Sequence, residues 1–187
     1  MPELVVPRPS LHSPFLEALA EYAAAGDYPH GSGITPDHLP LDEVRGEPWF
    51  AGDLADPERF AAYAEAMPRL ADGDVARGFA MVPDTKRWIT ERDQVLGFLS
   101  VRHELNDFRL EEGGHIGYSV RPSARRRGLA TYACAWGLDH LRSLGVDRAL
   151  ITCDDDNEAS AATILRNGGV LEDVRHGKRR YWVDLRA

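Results

Sequence analysis

Val120-Arg121-Pro122-Ser123-Ala124-Arg125-Arg126-Arg127-Gly128-Leu129-Ala130-Thr131 joins a strand-like segment to a helical one through a basic turn that contains one glycine. A helix start presents free backbone N–H groups and the positive end of the helix dipole, so an anion is stabilised there. Gly128 lets that anion approach the backbone closely, and Arg125, Arg126 and Arg127 add charge to the cradle. Three cations at the end of a helix that already carries partial positive charge are in local conflict, which a bound phosphate relieves better than solvent does. Two familiar phosphate loops are excluded: the chain has no GxxxxGK[ST], and no GxGxxG followed by an acidic residue about 20 positions on.

Outward from this turn the pattern is regular. His115–Val120 reads as a strand before it and Gly128–Leu144 as the helix after it, with Ala130, Ala133, Cys134, Gly137, Leu141 and Leu144 on one face. Ala149–Cys153 then reads as a buried strand, 157–167 as a second helix closed by Gly168-Gly169, and Val170–Val174 with Arg180–Leu185 as a closing hairpin. Upstream, Lys86–Thr90 and Val95–Arg102 form a hairpin, and Glu104–Gly114 is a polar connection. Eleven of the twelve prolines fall within residues 1–83. The first half is therefore expected to hold a short strand at Leu4–Val6, helices at Pro14–Ala25 and after Asp56-Pro57, and a long loop over residues 28–53.

Composition bounds the function. At 187 residues the chain suits one domain, and 22 Lys+Arg against 30 Asp+Glu leave a net charge of −8, which argues against nucleic acid or an acidic membrane as the main partner. No apolar run approaches the ~18 residues of a membrane span, and the start lacks a secretory signal pattern, so a cytoplasmic protein is expected. Cys134 and Cys153 have no metal-type spacing and read as small buried hydrophobes; no metal is expected.

Arg125-x-x-Gly128-x-Ala130 after a strand ending at Val120, with Ala149–Cys153, Asn157 and Gly168 following in order, resembles the coenzyme A loop and core of the GNAT superfamily of acetyltransferases. Val95-Leu96-Gly97-Phe98 is similar to the strand ahead of that core. More narrowly, Val101–Asn106, Gly113–Tyr118 and Cys153–Asn157 look like a bacterial branch of that superfamily whose substrates are mostly unassigned. The resemblance implies an α/β fold of the GNAT acyl-CoA N-acyltransferase type, a mixed central sheet flanked by helices, spanning 1–187 as a single domain. Residues 1–90 would form the substrate side, and 91–187 the acetyl-CoA core and closing hairpin. It further implies that two cofactor strands splay apart near Val120. Backbone groups of Tyr118 and Val120 would pair with pantetheine, and the amides of Arg126, Arg127, Gly128, Leu129, Ala130 and Thr131 would hold the pyrophosphate. Asn157 and Ser160 would contact the pantetheine arm, with Asn157 also suited to cap its helix. Pairing of two copies through the last hairpin is the family's habit.

Acetyl transfer to an amine needs a proton acceptor, because an amine of pKa ~10.4 is protonated at neutral pH. His115, at the beginning of the strand facing the acyl group, is the first candidate and Glu104 the second, with a water relay as the third option. Many GNAT enzymes place a tyrosine acid for the leaving thiolate on the second cofactor helix, where Ile164 stands here, and the aromatic that usually follows is replaced by Gly169. Tyr181 is a substitute acid or simply a strand aromatic beside Trp182. A general acid contributes about 10²–10⁴-fold, so its loss weakens an enzyme without abolishing it. Glu111 and Glu112 suit a cationic amine, and Trp49, Phe50 and Trp88 either wall a pocket or fill the core. The expectation is an acetyl-CoA-dependent N-acetyltransferase acting on a free amino acid, polyamine, aminoglycoside-like amine or protein amine; the alternative is a catalytically silent acyl-CoA-binding or sensor module.

Overall fold

The computed structural model describes residues 1–37, 48–79 and 81–186. In chain order the elements are β1 (Glu3–Val5), α1 (His12–Ala25), α2 (Pro57–Arg69), α3 (Gly73–Gly78), β2 (Asp84–Glu91), β3 (Gln94–Arg102), α4 (Asp107–Glu111), β4 (Ile116–Val120), α5 (Leu129–Ser143), β5 (Arg148–Asp154), α6 (Glu158–Arg166), β6 (Val170–Arg175) and β7 (Lys178–Asp184). Local chemistry explains the helix starts. Asp56 caps α2 by accepting from the Arg59 N–H at 2.8 Å, with Pro57 behind it, and Asn157 caps α6 by accepting from the Ser160 N–H at 3.0 Å. Two short helices escape the periodicity of the sequence: α3, capped by Asp72, and α4, capped by Asn106, which breaks up the expected Glu104–Gly114 connection.

Hydrogen bonding divides the strands into two antiparallel sheets, β1-β2-β3-β4 and β5-β7-β6, rather than one mixed sheet. The two meet where the His115 N–H, just ahead of β4, donates to Leu150 O at 2.7 Å on β5. From that point both strands advance into a common cleft lined by Gly117 and Tyr118 on one side and Thr152, Cys153 and Asp154 on the other, so they run parallel without forming a ladder. β3 is buried on both faces, which is why Val95–Arg102 reads as a continuous apolar run. One core lies between β3, β4, β5, β7 and the helices α5 and α6, around Leu99, Val101, Ile116, Leu141 and Ile164. The other packs α1 and α2 on β2 and β3 through Phe15, Phe60, Tyr63, Trp88 and Phe98. A register shift that pairs Ile89 with Gly97 and Thr90 with Val95 leaves Leu96 unpaired, and Leu96 joins the first core while Val95 joins the second. Trp49 and Trp88 fill the second core rather than the β4–β5 cleft; residues 38–47 of the expected long loop lie outside the described residues.

Candidate active site

The cleft between β4 and β5 has a volume of about 260 Å³. Register explains why it is open. Arg102 and His115 form one hydrogen-bonded pair of the β3–β4 ladder, and Leu96 and Arg121 another. Antiparallel pairs alternate, so the backbone N–H and C=O groups of Ile116, Tyr118 and Val120 point away from β3, toward β5. The Val120 carbonyl accepts from the Arg125 Nε at 3.1 Å, which fixes the turn to the end of β4. Across the opening, the Tyr118 hydroxyl lies 2.9 Å from the Ser160 hydroxyl on α6. Burial pushes the Tyr118 phenol well above its ordinary range, so it stays protonated. Cys153 lines the same opening, its thiol also raised by burial.

At the turn the chain adopts the left-handed conformation twice, at Arg126 (φ 64°) and Gly128 (φ 78°). A Cβ added to Gly128 would meet nothing within 4 Å, so the glycine answers the backbone angle and leaves the space in front of the turn open. Among the described residues no backbone carbonyl accepts from the N–H of Arg126, Arg127 or Gly128, and the first turn of α5 adds those of Leu129, Ala130 and Thr131. This row of free donors is suited to a pyrophosphate. The three arginines divide their work. Arg125 pairs with Asp27 and Arg127 with Glu91 at 2.6 Å, bracing the turn against the end of α1 and the β2–β3 hairpin. The Arg126 side chain is exposed and has no ion pair among the described residues.

Of the residues expected to carry catalysis, none lines the cleft. His115 is buried, and its Nδ1 accepts from the Leu150 N–H at 3.0 Å, so it pins β4 to β5 and is not among the residues lining the cleft. Glu104 is exposed, away from the cleft, and Tyr181 lies in the core between Ile151 and Leu171 of the flanking strands. Glu111, considered for a cationic amine, faces Arg175 at 3.3 Å, whereas Glu112 does line the cleft. Burial lowers the His115 pKa to about 4 from the ordinary 6.5. The unfolded chain therefore takes up a proton below 6.5 that the folded one resists until about 4, and the stability from this group is intact above 6.5 and lost as pH falls through that interval. His115→Ala should lower stability by about 1–3 kcal/mol by leaving the Leu150 N–H unpaired, measured by urea unfolding at neutral pH.

His30 is a cleft residue that pattern reading passed over. Gly31 brings it there: at φ 89°, with an added Cβ falling 2.8 Å from Gly117 O, the glycine packs its backbone directly on β4. The carbonyl of His30 accepts from the Ser119 hydroxyl at 2.8 Å, and its ring meets Tyr28 edge-on at 4.8 Å between centroids. Desolvation at the cleft shifts the pKa of this exposed residue's imidazole downward from its ordinary value. Among the described residues no group of three or more His, Cys, Asp or Glu side chains is placed to hold a metal, and no helix is long and apolar enough to cross a membrane.

Residues 39–170 match the family model described as an acetyltransferase (GNAT) domain. The chain belongs to the GNAT acetyltransferases. No curated protein matches it closely enough to name a relative. Solved structures with the same fold include the microcin C7 self-immunity acetyltransferase MccE in complex with acetyl-CoA and AMP, at TM-score 0.63 and 15% identity over 98% of this chain and 92% of that one. The ribosomal L7/L12 alpha-N-protein acetyltransferase RimL in complex with coenzyme A matches at TM-score 0.62 and 18% identity, over 98% and 93%. The ribosomal-protein-S5-alanine acetyltransferase from Vibrio fischeri matches at TM-score 0.63 and 13% identity, over 99% and 92%.

Proposed function

We propose that this acetyltransferase binds acetyl-CoA with its pyrophosphate on the free N–H groups from Arg126 to Thr131 and its pantetheine arm between β4 and β5, past Val120, Tyr118 and Asn157, and transfers the acetyl group directly to an amine. The observation that carries the reading is the continuity of the row of unpaired amides at Gly128 with the splayed strands and the Tyr118–Ser160 contact. Bound acetyl-CoA supplies an activated thioester. His30 takes the proton of the attacking amine, since it lines the cleft and its pKa is shifted downward, toward the neutral, proton-accepting form. Edge N–H groups at Tyr118 and Val120 face the developing oxyanion. As the C–S bond breaks, the Tyr118 hydroxyl, backed by Ser160, gives its proton to the departing sulfur, in place of the tyrosine absent at Ile164. Solved structures of the same fold in complex with acetyl-CoA or coenzyme A support the cofactor part. We read the chain as one catalytic unit, cytoplasmic because its co-substrate is, and able to pair through the β6 edge, where Val170, Leu171 and Val174 are exposed.

The pH dependence of acetyl-CoA turnover tests the roles. The wild-type rate should fall as pH drops through an apparent pKa below 6.5, the ordinary value for the His30 imidazole. His30→Gln should remove that limb and about 10²–10⁴-fold of kcat, and Tyr118→Phe should lower kcat with coenzyme A binding retained. An acid limb that survives His30→Gln overturns its role. Coenzyme A binding without turnover of any amine favours the silent acyl-CoA-binding module instead.

A further inference from the structure

The half of the cleft beyond Tyr118, away from the coenzyme A turn, holds two guanidinium groups side by side. Arg102, on the last residue of β3, spends Nη1 on the carbonyls of Gly113 and Gly114 at 2.9 and 3.0 Å. Arg109, on α4, rests over the Phe108 ring at 5.2 Å and has no ion pair among the described residues. Glycines clear the floor for both: a Cβ on Gly113 would come within 2.9 Å of Arg109 Nη1, and one on Gly117 within 3.5 Å of Arg102 Nη2.

The nearby acids do not balance this charge. Asp84, buried behind Arg102, is already bound to Lys86 at 2.8 Å and accepts from the Ser100 hydroxyl at 2.7 and 2.9 Å. Asp154 pairs with Lys178 within the cleft, and Glu112, which also lines it, forms no ion pair with either arginine among the described residues. Burial, and then the charge of Arg102, lower the Arg109 pKa to about 10, the direction expected of a cation held in place without a counter-ion. In a chain with a net charge of −8, an unneutralised arginine pair inside the cleft marks a subsite for an anion.

Resting on the acetyl-transfer reading above, we infer that the acceptor is a small amine that also carries an oxyanion, a carboxylate or a phosphate, which docks on Arg109 and Arg102 while its nitrogen faces His30 at the β4–β5 opening. Arg109 is free to use its planar fork, so it supplies most of the recognition, and Arg102 adds charge from the floor. The Phe108 ring, largely exposed at the rim, steers the guanidinium.

The test measures acetyl-CoA turnover with each of the common amino acids as the free acid and as its C-terminal amide, and with phosphoethanolamine against ethanolamine. Free acids or the phosphate should exceed their neutral partners by roughly 10- to 100-fold in kcat/KM, the acid and phosphate arms distinguishing the two anions. Arg109→Gln should erase that preference by lowering the rate on the anionic member of each pair only, with coenzyme A affinity and thermal midpoint unchanged, and Arg109→Lys should recover part of it. Equal or better turnover of the neutral partners, an Arg109→Gln enzyme that keeps the preference, or no turnover in either series by a protein that binds acetyl-CoA would overturn the inference alone. Failure to bind acetyl-CoA or coenzyme A would overturn the reading beneath it.

Discussion

Gly128→Asp is expected to reduce the affinity for acetyl-CoA and coenzyme A by at least about 100-fold in a calorimetric titration. Two effects act together. The residue sits at φ 78°, where an L side chain is strained, and the new carboxylate projects into space that now holds nothing within 4 Å of the added Cβ. That space is the one in front of the amide row, so the substitution puts a negative charge where the pyrophosphate phosphates have to be. Gly128→Ala separates the two effects: it carries the strain without the charge and should lose much less affinity. Binding that Gly128→Asp leaves intact would remove the turn from the cofactor site and, with it, the reason for placing pantetheine between β4 and β5.

Asp84→Ala is expected to cost about 3–5 kcal/mol of unfolding free energy. Lys86 and Asp84 are 6% and 3% exposed in their side chains; the carboxylate pairs with the Lys86 ammonium and accepts from the Ser100 hydroxyl, and the ammonium also donates to Ser100 Oγ at 3.2 Å. Removing it strands a buried cation beside Arg102. Burial by itself would raise the Asp84 pKa, but the charges of Lys86 and Arg102 and the bonds from Lys86 and Ser100 outweigh it, and the net direction is downward. Its stabilisation is therefore present above the ordinary value of 3.8 and is lost as pH falls through the lower folded value. Replacing both partners, as Asp84→Leu with Lys86→Met, should be far milder than Asp84→Ala, because no charge is left unpaired. Urea denaturation of the three proteins decides it; a single variant as stable as the double one would show that the ammonium finds another partner or loses its proton.

The central strands and long helices were legible because they bury faces whose apolar pattern shows in the chain. Val95–Arg102, Gly128–Leu144 and 157–167 match β3, α5 and α6 to within a residue or two at their ends. α3 and α4 were not, since helices of 6 and 5 residues are too short to display a 3.6-residue period; only the caps Asp72 and Asn106 announced them. The arginine run was legible as a loop of special chemistry, yet the sequence treats Arg125, Arg126 and Arg127 alike. Asp27 and Glu91, which engage Arg125 and Arg127, lie 98 and 36 residues away along the chain and have no local signature.

A catalytic proton acceptor is harder to read from sequence than a phosphate-binding turn. A helix start that binds phosphate is built from consecutive residues, and it can be read from twelve letters. A proton acceptor is defined by what faces the reacting atoms, and that depends on where distant segments cross. His115 looked well placed because it opens β4, but the approach of β5 turns its ring to the Leu150 N–H. His30 had no motif at all and reaches the cleft because Gly31 packs on Gly117 O. The unpaired Arg109 over Gly113 follows the same rule, since Asp84 and Asp154 are committed to Lys86 and Lys178, and Glu112 forms no ion pair with it among the described residues. By itself, then, the sequence determined the order of the strands and long helices, the arginine-rich turn suited to an anion and the family they imply, all of which rest on contacts within a few residues or on periodic burial. Only the tertiary structure decided which histidine lines the cleft, which arginines stay uncommitted and how the two sheets part, because hydrogen bonds and ion pairs are satisfied across the whole fold and a side chain's role is set by what is left over.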